Sequence, residues 1–187
     1  VSRAATALER LAIVVAALAL AVGLIALLSG FFAGRDQASL AGRGSGPGLA
    51  FRDLGHALLR PEQPRAGRVH YNSNPPTSGP HVPEPILHNE ARLNDDQILE
   101  ALELGDVVIV YGTRDPPPGL LAVARAVAPR FSPALAAAGQ AVILAHRPHY
   151  AGLVVLAWAH LLRITGPADP RLRPFMQFWL GRGAPGP

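Results

Sequence analysis

The chain has 187 residues, with 17 basic side chains, all arginine, against 13 acidic ones for a formal net charge of +4, and it has no cysteine. The missing cysteine excludes disulfide staples, thiolate metal sites and dithiol redox chemistry. The arginines are scattered singly, without the interleaved aromatics of a nucleic-acid surface, so nucleic acid is not an expected partner.

Residues 1–10 form a short head carrying Arg3, Glu9 and Arg10. The next stretch, 11–34, is uncharged and apolar throughout. A helix of about 20 apolar residues crosses a bilayer core, because lipid offers no partner to a backbone amide left unbonded within its own segment. Ala, Leu, Val and Ile cover every face of this run, unlike the one-sided stripe of a soluble helix. It also exceeds the roughly 7–15 apolar residues of a cleaved signal peptide. A single-pass transmembrane helix is therefore expected at 11–34, with the lipid bilayer as partner. The small residues Ala16, Ala17, Ala19, Ala21 and Gly23 suit close packing against other membrane protein subunits. Flanking arginines are nearly balanced, so the orientation rests on the short head and long tail, which put the C-terminal part outside the cytoplasm.

A Gly/Ser-rich tether, 35–48, leads to one expected extracytoplasmic α+β domain, 49–187. The pattern of Leu49, Phe51, Leu54, Leu58 and Leu59 is open between a short helix and an opening strand, and 68–71 reads as a short strand. From Tyr71 to His81 the prolines at 75, 76 and 80 forbid a helix or a central strand, so the segment is expected to be a preformed loop. Asp95 to Leu104 contains good helix formers behind an Asn94 or Asp95 cap, with strand as the alternative. Val107 to Tyr111 is a continuous β-branched run, as in a strand buried on both faces. A helix over 120–127 follows, then strands at 141–144 and 153–156, the latter extending to Trp158. Leu172, Phe175, Met176 and Trp179 fall at helical spacing ahead of Gly181. The helical crossover predicts a parallel pair, and the short gap between the last two strands predicts an antiparallel hairpin between them. A mixed sheet packed against helices follows, in the order strand, helix, strand, strand, helix. Thioredoxin-like and ferredoxin-like domains both contain this succession.

Pro75, Pro76, Thr77, Ser78, Gly79, Pro80 and His81 spell PPTSGPH. In this string the chain resembles an uncharacterised, membrane-anchored bacterial family, domain of unknown function 3105. The strand at 107–111, Ala157-Trp158 and the terminal helix followed by Gly183-Ala184-Pro185 are similar to that family's layout, so the resemblance covers roughly 53–185. It implies no assigned activity. Typical members also carry a His before the hallmark and a His-x-x-Glu-His-Gly pattern before the strong strand. Aligned on Gly105, that pattern falls on Glu100 to Gly105, with its histidines replaced by Glu100 and Leu104 and with Glu103 retained. His56 and His70 each stand as candidates for the earlier His.

Imidazole and carboxylate together suit a divalent transition metal. The candidate ligands are His81 and Glu103, with Glu100 and His88 as substitutes, in a site of reduced or altered affinity, or one that is lost. For His81 the competing role is a hydrogen-bonded staple tying the loop to the sheet. His146, His149 and His160 are expected at the surface or rim. Ser78 is expected to bond backbone rather than act as a nucleophile, since no third orienting carboxylate or oxyanion hole is legible. The leading expectation is a non-enzymatic, membrane-tethered binding or accessory module, with a metal-binding protein as the alternative.

Overall fold

The computed structural model describes residues 46–61 and 69–186. Gly44–Pro187 forms one compact unit. The expected spanning helix, the head and all but the last residues of the tether lie outside the described residues. Among the described residues no helix is long and apolar enough to cross a membrane.

The elements run β1 (Leu49–Ala50), α1 (Asp95–Leu104), β2 (Val107–Tyr111), α2 (Leu120–Arg125), α3 (Pro133–Ala137), β3 (Val142–His146), β4 (Leu153–Ala157), β5 (His160–Ile164) and α4 (Leu172–Trp179). Five strands form one mixed sheet in the order β1-β5-β4-β2-β3. β2 is parallel to β3 and antiparallel to β4. The two strands joined by helices are neighbours, which departs from the split arrangement of ferredoxin-like domains.

Alternation along the strands divides the core into two layers. Val108, Val110, Ile143, Val154 and Leu156 face one side, where Ile98, Leu99 and Leu102 of α1 cover them. Val107, Ile109, Leu144 and Val155 face the other, beneath Leu120 of α2 and Leu172, Phe175 and Met176 of α4. β2 is buried along its whole length, as its unbroken apolar run requires.

Several expectations are corrected. The strands at 142–146 and 153–157 do not pair as a hairpin, because β4 crosses to the far side of β2 and pairs there. The hairpin partner of β4 is β5, which sequence reasoning missed; Trp158 and Ala159 turn between them, with Ala159 at φ 56°. His160 opens β5 and is 3% exposed, instead of sitting on a rim. Its Nδ1 donates to Trp158 O at 3.0 Å, its ring lies 4.0 Å from that of Trp179, and burial lowers its pKa. The 49–60 segment contributes only the two-residue β1, and no strand forms over 69–71. The helix expected over 120–127 ends at Arg125, and α3 follows it before β3.

Asn94 caps α1 with a full capping box: its side chain accepts from Gln97 N, and Gln97 returns a bond to Asn94 N. That cap decides between helix and strand for this segment. At the other end Gly105 takes φ 112°, a left-handed stop that favours glycine.

Candidate functional site

The hallmark loop is held by backbone and side-chain hydrogen bonds together. Ala159 N donates to Thr77 O at 2.8 Å, Leu54 N to Ser78 Oγ at 3.1 Å, and Tyr71 Oη to Pro80 O at 2.9 Å. Residues 75–79 are all buried. Gly79 sits at φ 135° with the Tyr71 ring against it, so no side chain fits there without strain. Ser78 Oγ, engaged with Leu54 N and Arg52 O, is a structural hydroxyl facing backbone.

The loop delivers His81 to α1. His81 bridges the 57–59 segment, with Leu59 N donating to His81 O at 2.8 Å and His81 N to Ala57 O at 3.2 Å. One residue on, Val82 N donates to the buried Asp96 Oδ1 at 2.8 Å, which ties the loop to the first turn of α1. Asp96, Glu100 and Glu103 recur at helical spacing on one face of that helix. His81 therefore lies over the two glutamates further along the same face.

His81 is fully buried. Its Nε2 lies 3.4 Å from Glu100 Oε2 and 3.2 Å from Glu103 Oε2, while the glutamate side chains remain 22% and 25% exposed. His81 Nδ1 is 3.0 Å from Gly79 O. A carbonyl only accepts, so Nδ1 carries a proton, which leaves Nε2 as the ring nitrogen facing the carboxylates. Neither His81 Nε2 nor Glu103 Oε2 has a hydrogen-bond partner among the described residues, and both are buried. His56 Nδ1, also buried and without a partner, lies 3.8 Å from Glu103 Oε1. The His56 ring centroid stands 6.2 Å from Trp158, whose Nε1 donates to Asp53 Oδ2 at 3.0 Å.

These are unsatisfied atoms converging on one point. The ligand atoms of His81, Glu100 and Glu103 all lie within 4.8 Å of one another. Ligand bonds of roughly 2.0–2.2 Å put the edge of a tetrahedron of ligands at about 3.3–3.6 Å, close to the two separations from His81 Nε2. A donor set of imidazole and carboxylate fits a divalent first-row metal. The hydrogen bond from Nδ1 to Gly79 O fixes the orientation of the ring, as a carbonyl does for an imidazole that ligates a metal.

Of the sequence candidates, His81, Glu100 and Glu103 come together. His88 is exposed in the 82–92 segment and is not in the group. His56 was legible only as a candidate for the family's earlier His, because nothing local to 53–59 shows that this segment pairs with His81. Leu104, at the pattern's other histidine position, is 43% exposed and lies outside the group. The C-terminal segment also supports the site: Ala184 N donates to Glu103 O at 2.9 Å, and Gly183 lies so close to that carbonyl that a Cβ has no room.

Fold and site together define a small α+β domain with a His/carboxylate cluster between a rigid loop and a helix. The chain belongs to the family described as Protein of unknown function (DUF3105), whose model matches residues 62–187. The hallmark loop, His81, Glu100 and Glu103 all fall within the matched stretch, whereas His56 precedes it. No curated protein and no solved structure matches the chain.

Proposed function

We propose that this domain binds a divalent transition-metal ion through His81 Nε2, Glu100 and Glu103. The observation that carries the reading is a pair of buried atoms lacking a hydrogen-bond partner, His81 Nε2 and Glu103 Oε2, 3.2 Å apart. Buried polar groups normally find partners, and leaving one unmade costs about 1–3 kcal/mol. A cation shared between these two atoms and Glu100 satisfies both at once. Two carboxylates balance the charge of a divalent ion, and imidazole with carboxylate suits zinc, iron(II) or manganese more than softer ions. The partial exposure of both glutamates keeps one side of the ion open to solvent.

The apolar run 11–34 supports a membrane tether for this domain, with the domain outside the cytoplasm and other membrane subunits as its partners. In that setting the ion makes the domain a metal-binding module held beside a bilayer.

The test is metal content. The full chain, stripped with chelator, is reloaded separately with zinc, manganese and iron(II) and then desalted. One ion retained per chain, and lost in His81→Ala and Glu103→Ala, is the expected result. Retention no greater than in His81→Ala for any of the three ions overturns the proposal.

A further inference from the structure

A cavity of about 230 Å³ adjoins α1, with Glu100, Ala101 and Leu104 of that helix in its lining. Ile86, Leu104, Pro133 and Ala136 form apolar walls, and Glu100 and Asp106 are its charged lining residues. No basic side chain among the described residues lines it. Ligand pockets for drug-sized molecules run roughly 300–1,000 Å³, so this cavity suits something smaller.

Asp106 is the unusual member. It is 1% exposed, and its Oδ1 accepts from Ala141 N at 2.7 Å, a bond that fixes the carboxylate plane. Its Oδ2 is buried and has no hydrogen-bond partner among the described residues. An ionisable group in that position awaits a cation or a donor. Burial pushes its carboxyl up to about 8, the response of an acid without a countercharge.

We propose that this cavity binds a small primary amine as its ammonium ion, the nitrogen paired with Asp106 and the alkyl body against Ile86, Leu104, Pro133 and Ala136. Apolar walls alone would accept any small hydrocarbon; Asp106, which gives up its proton as the amine binds, and Glu100 at the boundary select a cation. This site stands apart from the metal reading, although Glu100 borders both.

The probe is n-butylammonium, with 1-butanol as its uncharged counterpart, titrated into the full chain in excess chelator and followed by amide resonances of Ala101, Leu104, Asp106 and Ala136. Saturable shifts with an affinity for n-butylammonium about tenfold or more above that for 1-butanol are expected, as for a hydrogen bond to a charged group. Asp106→Asn, which keeps the shape and the bond from Ala141 N, removes that preference. Ala136→Phe fills the cavity and abolishes binding of both probes. Absence of saturable shifts, equal affinities for the two probes, or binding unchanged in Ala136→Phe overturns the proposal. Zinc retention is measured on the same preparations. Amine binding without zinc retention overturns the metal reading alone, and zinc retention without amine binding overturns this one alone.

Discussion

His81 Nε2 and Glu103 Oε2 lie 3.2 Å apart, both buried, and neither makes a hydrogen bond to the other or to any described residue. With one ring proton directed to Gly79 O, Nε2 meets the carboxylate lone pair to lone pair unless a proton or a metal ion lies between them. The site's chemistry follows from that one contact.

Removing a ligand and removing its charge should differ in degree. Glu103→Gln keeps the side chain's shape but not its charge, and zinc affinity is expected to fall by about 100-fold or more, beyond the roughly 10–100-fold lost when a residue that only supports a ligand is changed. His81→Ala should reduce it further. Competition against a chromophoric chelator measures both, and equal affinity in Glu103→Gln and wild type would remove Glu103 from the ligand set.

Metal and stability should be linked. If the ion binds only the folded chain, zinc at about 100 times its dissociation constant stabilises by about 2.7 kcal/mol. Urea titrations with zinc and with chelator read this directly. The gain should fade in acid, because the carboxylates and imidazoles must be deprotonated to ligate.

Asp96 is expected to position the loop without touching the ion. Its Oδ1 takes Val82 N at 2.8 Å from a buried site. Asp96→Ala orphans that amide, and a loss of about 1–3 kcal/mol in stability is expected. Because His81 precedes Val82, zinc affinity should also drop, while the zinc stoichiometry reached at saturation stays the same.

Gly183 gives a second positioning test from the far end of the chain. A methyl group there meets Glu103 O, so Gly183→Ala must displace either the C-terminal segment or the end of α1. Overpacking of this kind costs about 1–3 kcal/mol. Weaker zinc binding should accompany it, and a variant as stable as wild type by urea titration would show that the contact is dispensable.

Asp106 predicts the pH profile. Its folded-state value of about 8 lies above the ordinary 3.8, so the folded chain keeps a proton that the unfolded chain releases. Its contribution is fully present at low pH and is lost as pH rises from about 4 to about 8, with no further change above. Asp106→Asn should flatten that part of the urea stability profile measured in chelator. An unchanged slope would place the pH dependence elsewhere.

Local signals in the sequence carried the elements whose causes are local. The β-branched run of β2, the Asn94 cap of α1 and the proline-fixed loop from 75 to 80 each depend on neighbours within a few residues, and each was readable. Sheet order was not, because the choice of β4 between β3 and the far edge of β2 is made by long-range pairing. The short run from 160 to 164 was hidden for a related reason. His160 and Arg163 interrupt its apolar pattern, and the packing of His160 against Trp179 that makes its burial tolerable is a tertiary contact. At the site, His81, Glu100 and Glu103 came from the motif and its spacing. His56 depends on the pairing of 57–59 with His81, and Asp106 on its approach to Ala141, neither of which the sequence states locally.

The central claim is a metal ion between His81 and the two glutamates, and anomalous diffraction at the zinc absorption edge from crystals of the zinc-loaded full chain tests it most directly. The account predicts one anomalous peak about 2.0–2.2 Å from His81 Nε2 and from an oxygen each of Glu100 and Glu103. A map with no peak there, or with zinc held only at His88, His146 or His149, would contradict it.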